Sequence, residues 1–258
     1  MPDRDDLALL AQAARDAGRV ALGFHGTALA VTDKPGGLGP VTEADHAVND
    51  MLHQRLRAAR PDYGWLSEET EDGRDRLRST RLFVIDPIDG TRSFIEGSGT
   101  WAHSLAVVED GQVRAAVVYL PVKDRLYSAA RGCGAHLNGA PIRATARREL
   151  TGATMLAARP AYDPARWIGA LPSVTRAYRP SLAYRLSLVA EGRFDVMLTL
   201  RPSWEWDIAA GALILAEAGA TVTDRTGAAL RFNNPHPQVD GVLAAGPALH
   251  EALRRRLR

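Results

Sequence analysis

Cysteine and lysine are the scarce residues of this chain, one and two respectively in 258 positions. A single thiol, Cys133, cannot close an internal disulfide, so a packed core has to hold the fold. No apolar run approaches the roughly 18 residues of a membrane-spanning helix. A formal net charge of +2 is too small to imply a nucleic-acid polymer or a membrane surface as partner. The opening Met1-Pro2-Asp3-Arg4-Asp5-Asp6 is acidic and polar rather than a basic lead into an apolar signal core, and a cytoplasmic location is expected. Apolar residues are plentiful, 46% of the chain, enough for one large domain or two small ones. With only Lys34 and Lys123 among 32 basic residues, arginine is the default cation. A lysine in such a chain is either a stray surface residue or marks a place that wants a compact ammonium, and Lys34 sits in the loop-forming run Asp33-Lys34-Pro35-Gly36-Gly37.

The most informative segment is Leu82-Phe83-Val84-Ile85-Asp86-Pro87-Ile88-Asp89-Gly90-Thr91. Its short unbroken apolar run predicts a buried strand that leads straight into two carboxylates. Pro87 fixes φ and predicts a turn, which lets Asp86 and Asp89 face a common point with the Ile88 carbonyl free beside them. Hard oxygen ligands of this kind suit Mg²⁺ or Ca²⁺ rather than zinc. Gly90 permits close backbone approach, and Thr91 supplies a hydroxyl where a helix or turn begins and unpaired N–H groups can hold a phosphate. Taken alone, the segment also reads as a strand followed by an Asp-rich turn.

Helical spacing of Leu7, Leu10, Ala14, Ala17, Ala21 and Phe24 predicts a first helix over residues 5–24, followed by a Pro/Gly loop to Pro40. Thr42-Glu43-Ala44-Asp45 has capping-box spacing and opens a second helix ending before Pro61; Asp45, in its first turn, is by itself a capping acid. Trp65-Leu66-Ser67-Glu68-Glu69 repeats the pattern of a short apolar lead into acids, and residues 71–81 read as a solvated charged loop. Strand-like runs at 103–108 and 113–119 joined through Asp110-Gly111, a third at 126–130 and a tight turn at Asn138-Gly139 predict an antiparallel central sheet. Helix and strand then alternate: a helix from Ser181 to Glu191, a strand from Phe194 to Leu200, and an alanine-rich helix ending at Gly219, with Asp207 near its N-terminus. Pro247 and the arginines of residues 254–258 suit the two ends of one last helix, which makes the tail structural rather than nucleic-acid binding.

The motifs Trp65-Leu66-Ser67-Glu68-Glu69, Asp86-Pro87-Ile88-Asp89-Gly90-Thr91 and Trp206-Asp207-Ile208-Ala209-Ala210-Gly211, in that order, resemble the inositol monophosphatase superfamily of Mg²⁺-dependent, lithium-sensitive phosphatases. With Thr42-Glu43-Ala44-Asp45 and Glu217-Ala218-Gly219-Ala220 the likeness spans nearly the whole chain. It implies an α/β fold, an αβαβα layered sandwich. An antiparallel sheet would lie in the N-terminal half, residues 1–145, with most of the metal ligands. A mixed sheet with helices would form the C-terminal half, residues 146–258, with Asp207, the two making one phosphatase unit.

Carried over by motif, Glu68, Asp86 and the Ile88 carbonyl are implied ligands of the cation that activates water. Asp86, Asp89 and Asp207 are implied ligands of the cation that stabilises the leaving oxygen. Two or three Mg²⁺ ions are expected, because clustered carboxylates in apolar surroundings repel one another without cations. Thr91 resembles the family's water-positioning hydroxyl with Asp45 as its acceptor, so that Asp45, Thr91 and Glu68 form the implied catalytic set. The Gly90 and Thr91 amides would hold phosphate oxygens, and Lys34 matches a family lysine in the mobile loop near the metals. The implied reaction is in-line attack of metal-activated water on a phosphate monoester, without a phosphoenzyme.

Inositol phosphatases of the family generally carry a glutamate seven positions before the Trp-Asp aspartate, where this chain has Leu200. The segment from Arg201 to Gly211 is more similar to the 3′(2′),5′-bisphosphate nucleotidase branch. That similarity implies adenosine 3′,5′-bisphosphate as substrate, with Arg201 on a second phosphate and Trp204 beside a base. From the residues alone these two are a surface arginine and a core aromatic. Against the branch, Pro180 stands where a small residue is usual. Inositol 1-phosphate is the alternative substrate, and relatives with similar metal loops use histidinol phosphate or fructose 1,6-bisphosphate. A non-catalytic metal-binding regulatory protein is the rival class. A hydrolase built on Cys133, or on His103 with Ser104, is weaker still, since these read as turn and sheet residues. A monomer or a homodimer fits, depending on the substrate.

Overall fold

The computed structural model describes residues 2–37 and 39–258. The first half comprises α1 (Pro2–Phe24), β1 (Val31–Asp33), β2 (Pro40–Thr42), α2 (Glu43–Ala59), β3 (Gly64–Ser67), β4 (Arg81–Asp89), the short α3 (Thr91–Ile95), β5 (Ala102–Glu109), β6 (Gln112–Leu120), β7 (Arg125–Ala130), β8 (Ala135–Leu137) and β9 (Ala140–Pro141). Strands β3 to β9 form one sheet in sequence order, antiparallel except for the parallel β3–β4 pair. The second half comprises β10 (Ala153–Ala157), β11 (Val174–Ala177), α4 (Leu182–Ala190), β12 (Val196–Thr199), β13 (Ser203–Trp204), α5 (Glu205–Glu217), β14 (Thr221–Thr223), β15 (Gln238–Val239), β16 (Val242–Ala245) and α6 (Pro247–Arg254). Its sheet, in the order β11-β10-β12-β16-β14, is parallel across the first three strands and antiparallel across the last three.

The period-two alternation of each strand assembles the layers. Phe83, Ile85, Leu105, Val107, Ala115 and Val117 face α1 and α2, while Leu82, Val84, Ala106, Val108, Ala116 and Val118 face the opposite way, onto α4 and α5. The second sheet splits likewise: Leu156, Met197 and Ala244 join that central core, and Met155, Val196, Leu198 and Leu243 pack with α6. The result is the expected αβαβα sandwich. Helices α4 and α5 lie between two sheets, so both are apolar nearly all round, as a doubly covered helix must be. Gly211 is what lets them touch, since a Cβ there would sit 2.6 Å from Leu186 Cβ. Among the described residues no helix is long and apolar enough to cross a membrane.

Three local expectations change in the structure. The Pro/Gly loop before Pro40 is a small hairpin, β1 pairing antiparallel with β2 around Lys34. At Pro87 the chain does not turn out of the strand: β4 continues to Asp89 with a register shift between Asp86 and Asp89. The charged stretch 71–81 is not simply solvated, because Arg76 is 3% exposed. Its guanidinium donates to Asn233 Oδ1 at 2.6 Å and the Asn234 carbonyl at 3.0 Å. The backbone N–H groups of Asn233 and Asn234 in turn donate to buried Glu205 at 2.6 and 2.9 Å, tying that loop to the first turn of α5. Arginines of the tail bond within the chain: Arg258 Nε donates to the Trp167 carbonyl at 2.9 Å, and Arg255 pairs with Glu251 at 2.7 Å.

Candidate active site

The parallel pairing of β3 with β4 decides where the first two acids meet. With Ser67, the last residue of β3, opposite Ile85 of β4, Glu68 emerges beside Asp86. The Glu68 N–H donates to the Ile85 carbonyl at 3.2 Å and fixes that juxtaposition. Asp207 arrives in the first turn of α5, where the helix N-terminus favours an anion. Ser104 Oγ donates to the Trp206 carbonyl at 2.8 Å and ties that turn to β5. Carboxylate oxygens of Glu68, Asp86 and Asp207 consequently lie within 4.8 Å of one another. Burial, followed by the charges of Glu68, Asp89 and Asp207, pushes the Asp86 pKa well above the usual carboxylate range. Asp207 is raised in the same way, by burial and then by Asp89 and Glu68. Asp86 Oδ1 is buried without a hydrogen-bond partner. An oxygen-only donor set, held together against its own repulsion and with an orphaned oxygen, fits a hard divalent cation.

Asp89 lies beside this trio and is held differently. Its Oδ2 accepts from Ser181 Oγ at 2.8 Å and from the Ala183 N–H at 2.6 Å, so it anchors the start of α4. Ser181 also accepts from the Tyr184 N–H at 3.0 Å as the helix cap, with φ of 63°. Burial raises the Asp89 pKa while these donors oppose the rise.

Thr91 opens α3 after Gly90, whose φ of 103° suits glycine. Thr91 Oγ1 lies 3.3 Å from Asp45 Oδ1 and 3.2 Å from the Ile88 carbonyl, so that carbonyl also accepts from within the chain. Asp45 Oδ2 accepts from Thr42 N–H and Oγ1 at 2.8 and 2.6 Å, completing the capping box foreseen in the sequence. Burial is the main cause that raises the Asp45 pKa. Lys34 Nζ reaches Glu68 at 2.7 Å and Glu69 at 2.5 Å. Burial pushes the Glu69 pKa up to about 7 although Lys34 opposes it.

The cleft above these groups, about 300 Å³, is lined by Glu68, Asp89, Thr91 and Asp207 and rimmed by Arg92, Arg185 and Arg201. Trp204 lines a neighbouring hollow with Lys34, Glu68, Arg201 and Asp207 and is stacked on Trp206, centroids 4.8 Å apart and 7° from parallel. One Trp204 face is thereby occupied. Ser181, Arg185, Arg92 and Glu69 were not singled out from the sequence. Arg185 had a legible signal: it is the lone charge in the apolar helix Leu182–Ala190, and a helix apolar on all sides buries whatever it carries. His103, read as a sheet residue, is on β5 and buried, and its Nδ1–H donates to the Pro87 carbonyl between the two aspartates. Burial pushes its pKa down to about 4.

The model of the inositol monophosphatase family matches residues 3–258. The chain is 35% identical to the inositol-1-monophosphatase of Rhizobium meliloti over 202 residues, 72% of this chain and 73% of the relative. It is 36% identical to the histidinol-phosphatase of Mycobacterium tuberculosis over 267 residues, 98% of each chain. The solved structure of the Thermotoga maritima IMPase superposes with a TM-score of 0.82 at 29% identity, covering 97% of this chain and 96% of that one. The layered sandwich, the acids gathered at its sheet edge and a family match that runs nearly end to end agree: this chain belongs to the inositol monophosphatase family of phosphatases.

Proposed function

We propose that the protein is a Mg²⁺-dependent phosphomonoesterase acting on a small phosphorylated metabolite. The observation that carries this reading is the convergence of Glu68, Asp86 and Asp207 within 4.8 Å around a buried, unpartnered carboxylate oxygen. Glu68, Asp86, Asp89, Asp207 and the Ile88 carbonyl would hold the ions. When bound, Mg²⁺ lowers the pKa of water and neutralises charge on the phosphoryl group. Asp45 positions Thr91, whose oxygen accepts a hydrogen bond from the attacking water while its own proton faces Asp45 Oδ1. The raised pKa of Asp45 makes it the better proton acceptor. The Gly90 and Thr91 amides hold the phosphate, and Lys34 balances Glu68 and Glu69. Residues 1–145 and 146–258 act as one unit, because the second half supplies Asp207 to acids of the first.

For the substrate we favour a nucleoside 3′,5′-bisphosphate. Support comes from Leu200 in place of the glutamate usual in inositol phosphatases and from Arg201 at the cleft. The names of the two relatives support inositol 1-phosphate or histidinol phosphate as the second reading. Phosphate release from these three compounds and fructose 1,6-bisphosphate, measured side by side with Mg²⁺ and with or without lithium, is expected to be Mg²⁺-dependent and fastest on adenosine 3′,5′-bisphosphate. Release from none of them removes the phosphatase assignment, and a large preference for inositol 1-phosphate removes the nucleotide one.

A further inference from the structure

The cleft does not end at the carboxylates. Arg92, Tyr178, Leu182, Arg185 and Arg201 line both it and an adjoining chamber of about 580 Å³, reached over the end of β12. The chamber walls add Arg166 and Arg225, and no lining residue is acidic. Arg225 pairs with Asp240 at 2.8 Å; among the described residues the other four arginines form no salt bridge. Arg76, the other buried arginine among the described residues, is by contrast paired with Asp72, and the partly buried Arg81 and Arg125 pair with Asp6 and Glu109 and with Glu191.

Arg185 is the sharpest case. It is 8% exposed, its guanidinium lies 5.0 Å from the Tyr178 ring centroid, and its Nε is buried with no acceptor. Burial pulls its pKa down and nearby Arg201 adds to the effect, while Tyr178, Asp89 and Asp207 oppose it without supplying an acceptor to its Nε. A buried guanidinium with an unused donor is costly unless a ligand completes it. The chamber volume suits an organic ligand rather than a lone ion, and Leu182, Leu198 and Leu200 give it an apolar side.

We infer that this chamber is a subsite for a second phosphoryl group, carried on the same small molecule as the phosphate being hydrolysed, with Arg185 as its anchor and Arg201 at its mouth. A tetrahedral dianion offers oxygens to several guanidinium forks approaching from different sides, whereas a carboxylate is satisfied by one. The inference deepens the phosphatase reading and rests on it for the first phosphate only, since the arginines need no cation to bind an anion.

Binding is tested first without turnover. In chelator the acidic floor repels phosphate, which leaves the chamber as the place for it. Calorimetric titration should show adenosine 5′-monophosphate and fructose 6-phosphate binding about tenfold or more tighter than adenosine and fructose. Arg185→Met should erase that advantage and Arg185→Lys should retain part of it. Exposed Arg166, replaced in Arg166→Gln, provides a variant with little folding risk that should reduce the advantage. Equal binding of phosphorylated and unphosphorylated probes to the unmodified protein overturns the subsite, as does an advantage that survives Arg185→Met in a folded variant. With Mg²⁺, kcat/KM for adenosine 3′,5′-bisphosphate should exceed that for adenosine 3′-monophosphate by a similar factor, and the ratio should fall toward one in Arg185→Met. Absent turnover with the binding advantage intact would remove the phosphatase reading and keep the subsite. Equal turnover of both nucleotides without a binding advantage would do the reverse.

Discussion

The acidic floor of the cleft and its arginine rim leave charge uncompensated in opposite ways. Glu68 and Asp86 emerge from paired strands and Asp207 from the first turn of a helix, so the backbone holds their oxygens together and they cannot part to relieve repulsion. Arg185, Arg201 and Arg92 approach on long side chains from separate elements, and Arg201 and Arg92 remain exposed enough for water to screen them. The floor is preorganised at a cost in stability, and the rim is adaptable at a smaller cost. On the function proposed above, the floor would carry the chemistry and the rim the choice of substrate.

The largest expected effect tests the floor. Asp207→Asn should lower Mg²⁺-dependent turnover by on the order of a hundredfold or more, about 3 kcal/mol at the transition state. In chelator the same variant should melt above the unmodified protein, because burial of the Asp207 charge, the main cause of its raised pKa, and the repulsion from Asp89 and Glu68 are both gone. Near-normal turnover with unchanged melting would erase the distinction between floor and rim.

A second test concerns the support beneath the floor. His103 is neutral when folded, with its pKa pushed down to about 4, so an unfolded chain binds a proton that the folded one refuses. Its contribution is therefore fully present above pH ~6.5 and lost as pH falls toward 4, up to about 3 kcal/mol. The raised pKa values of Asp86 and Asp207 act with the opposite sign. The useful quantity is thus the difference between the unmodified protein and His103→Asn in denaturant midpoints at pH 7.5 and pH 4.5. A difference that does not change with pH would refute the neutral buried imidazole.

The smallest expected effect sharpens the other side. Arg201→Met should raise KM for the preferred substrate about tenfold while leaving the Mg²⁺ concentration for half-maximal activity unchanged. A shift in Mg²⁺ requirement would show that rim and floor are one electrostatic unit.

Features confined to a few consecutive residues were legible in the sequence. The Thr42–Asp45 capping box closes within a single turn. The Asp110-Gly111 hairpin turn is announced by the two residues that take φ of 51° and 76°. The strand-like runs at 103–108, 113–119 and 126–130 with their short turns forecast the antiparallel pairing of β5, β6 and β7. Partners distant in sequence were not legible. Nothing around Asp89 announces that Ser181 and Ala183 will claim one of its oxygens. Nothing in the charged run around Arg76 announces a bond to Asn233. Nothing in the segment around Trp204 announces that Trp206 will stack on one of its faces.

The sequence by itself determined the kinds of groups available and their local setting: acids at strand ends and helix starts, a glycine at the Thr91 turn, arginine in place of lysine. Propensity, capping and burial period act over a few residues, so one dimension is enough to read them. Only the tertiary structure decided that strands β3 and β4 run parallel and bring Glu68 to Asp86, that α5 carries Asp207 to the same point, and that unpaired arginines gather next to it. Those outcomes depend on which surfaces pack together, and packing is a property of the whole core rather than of any segment.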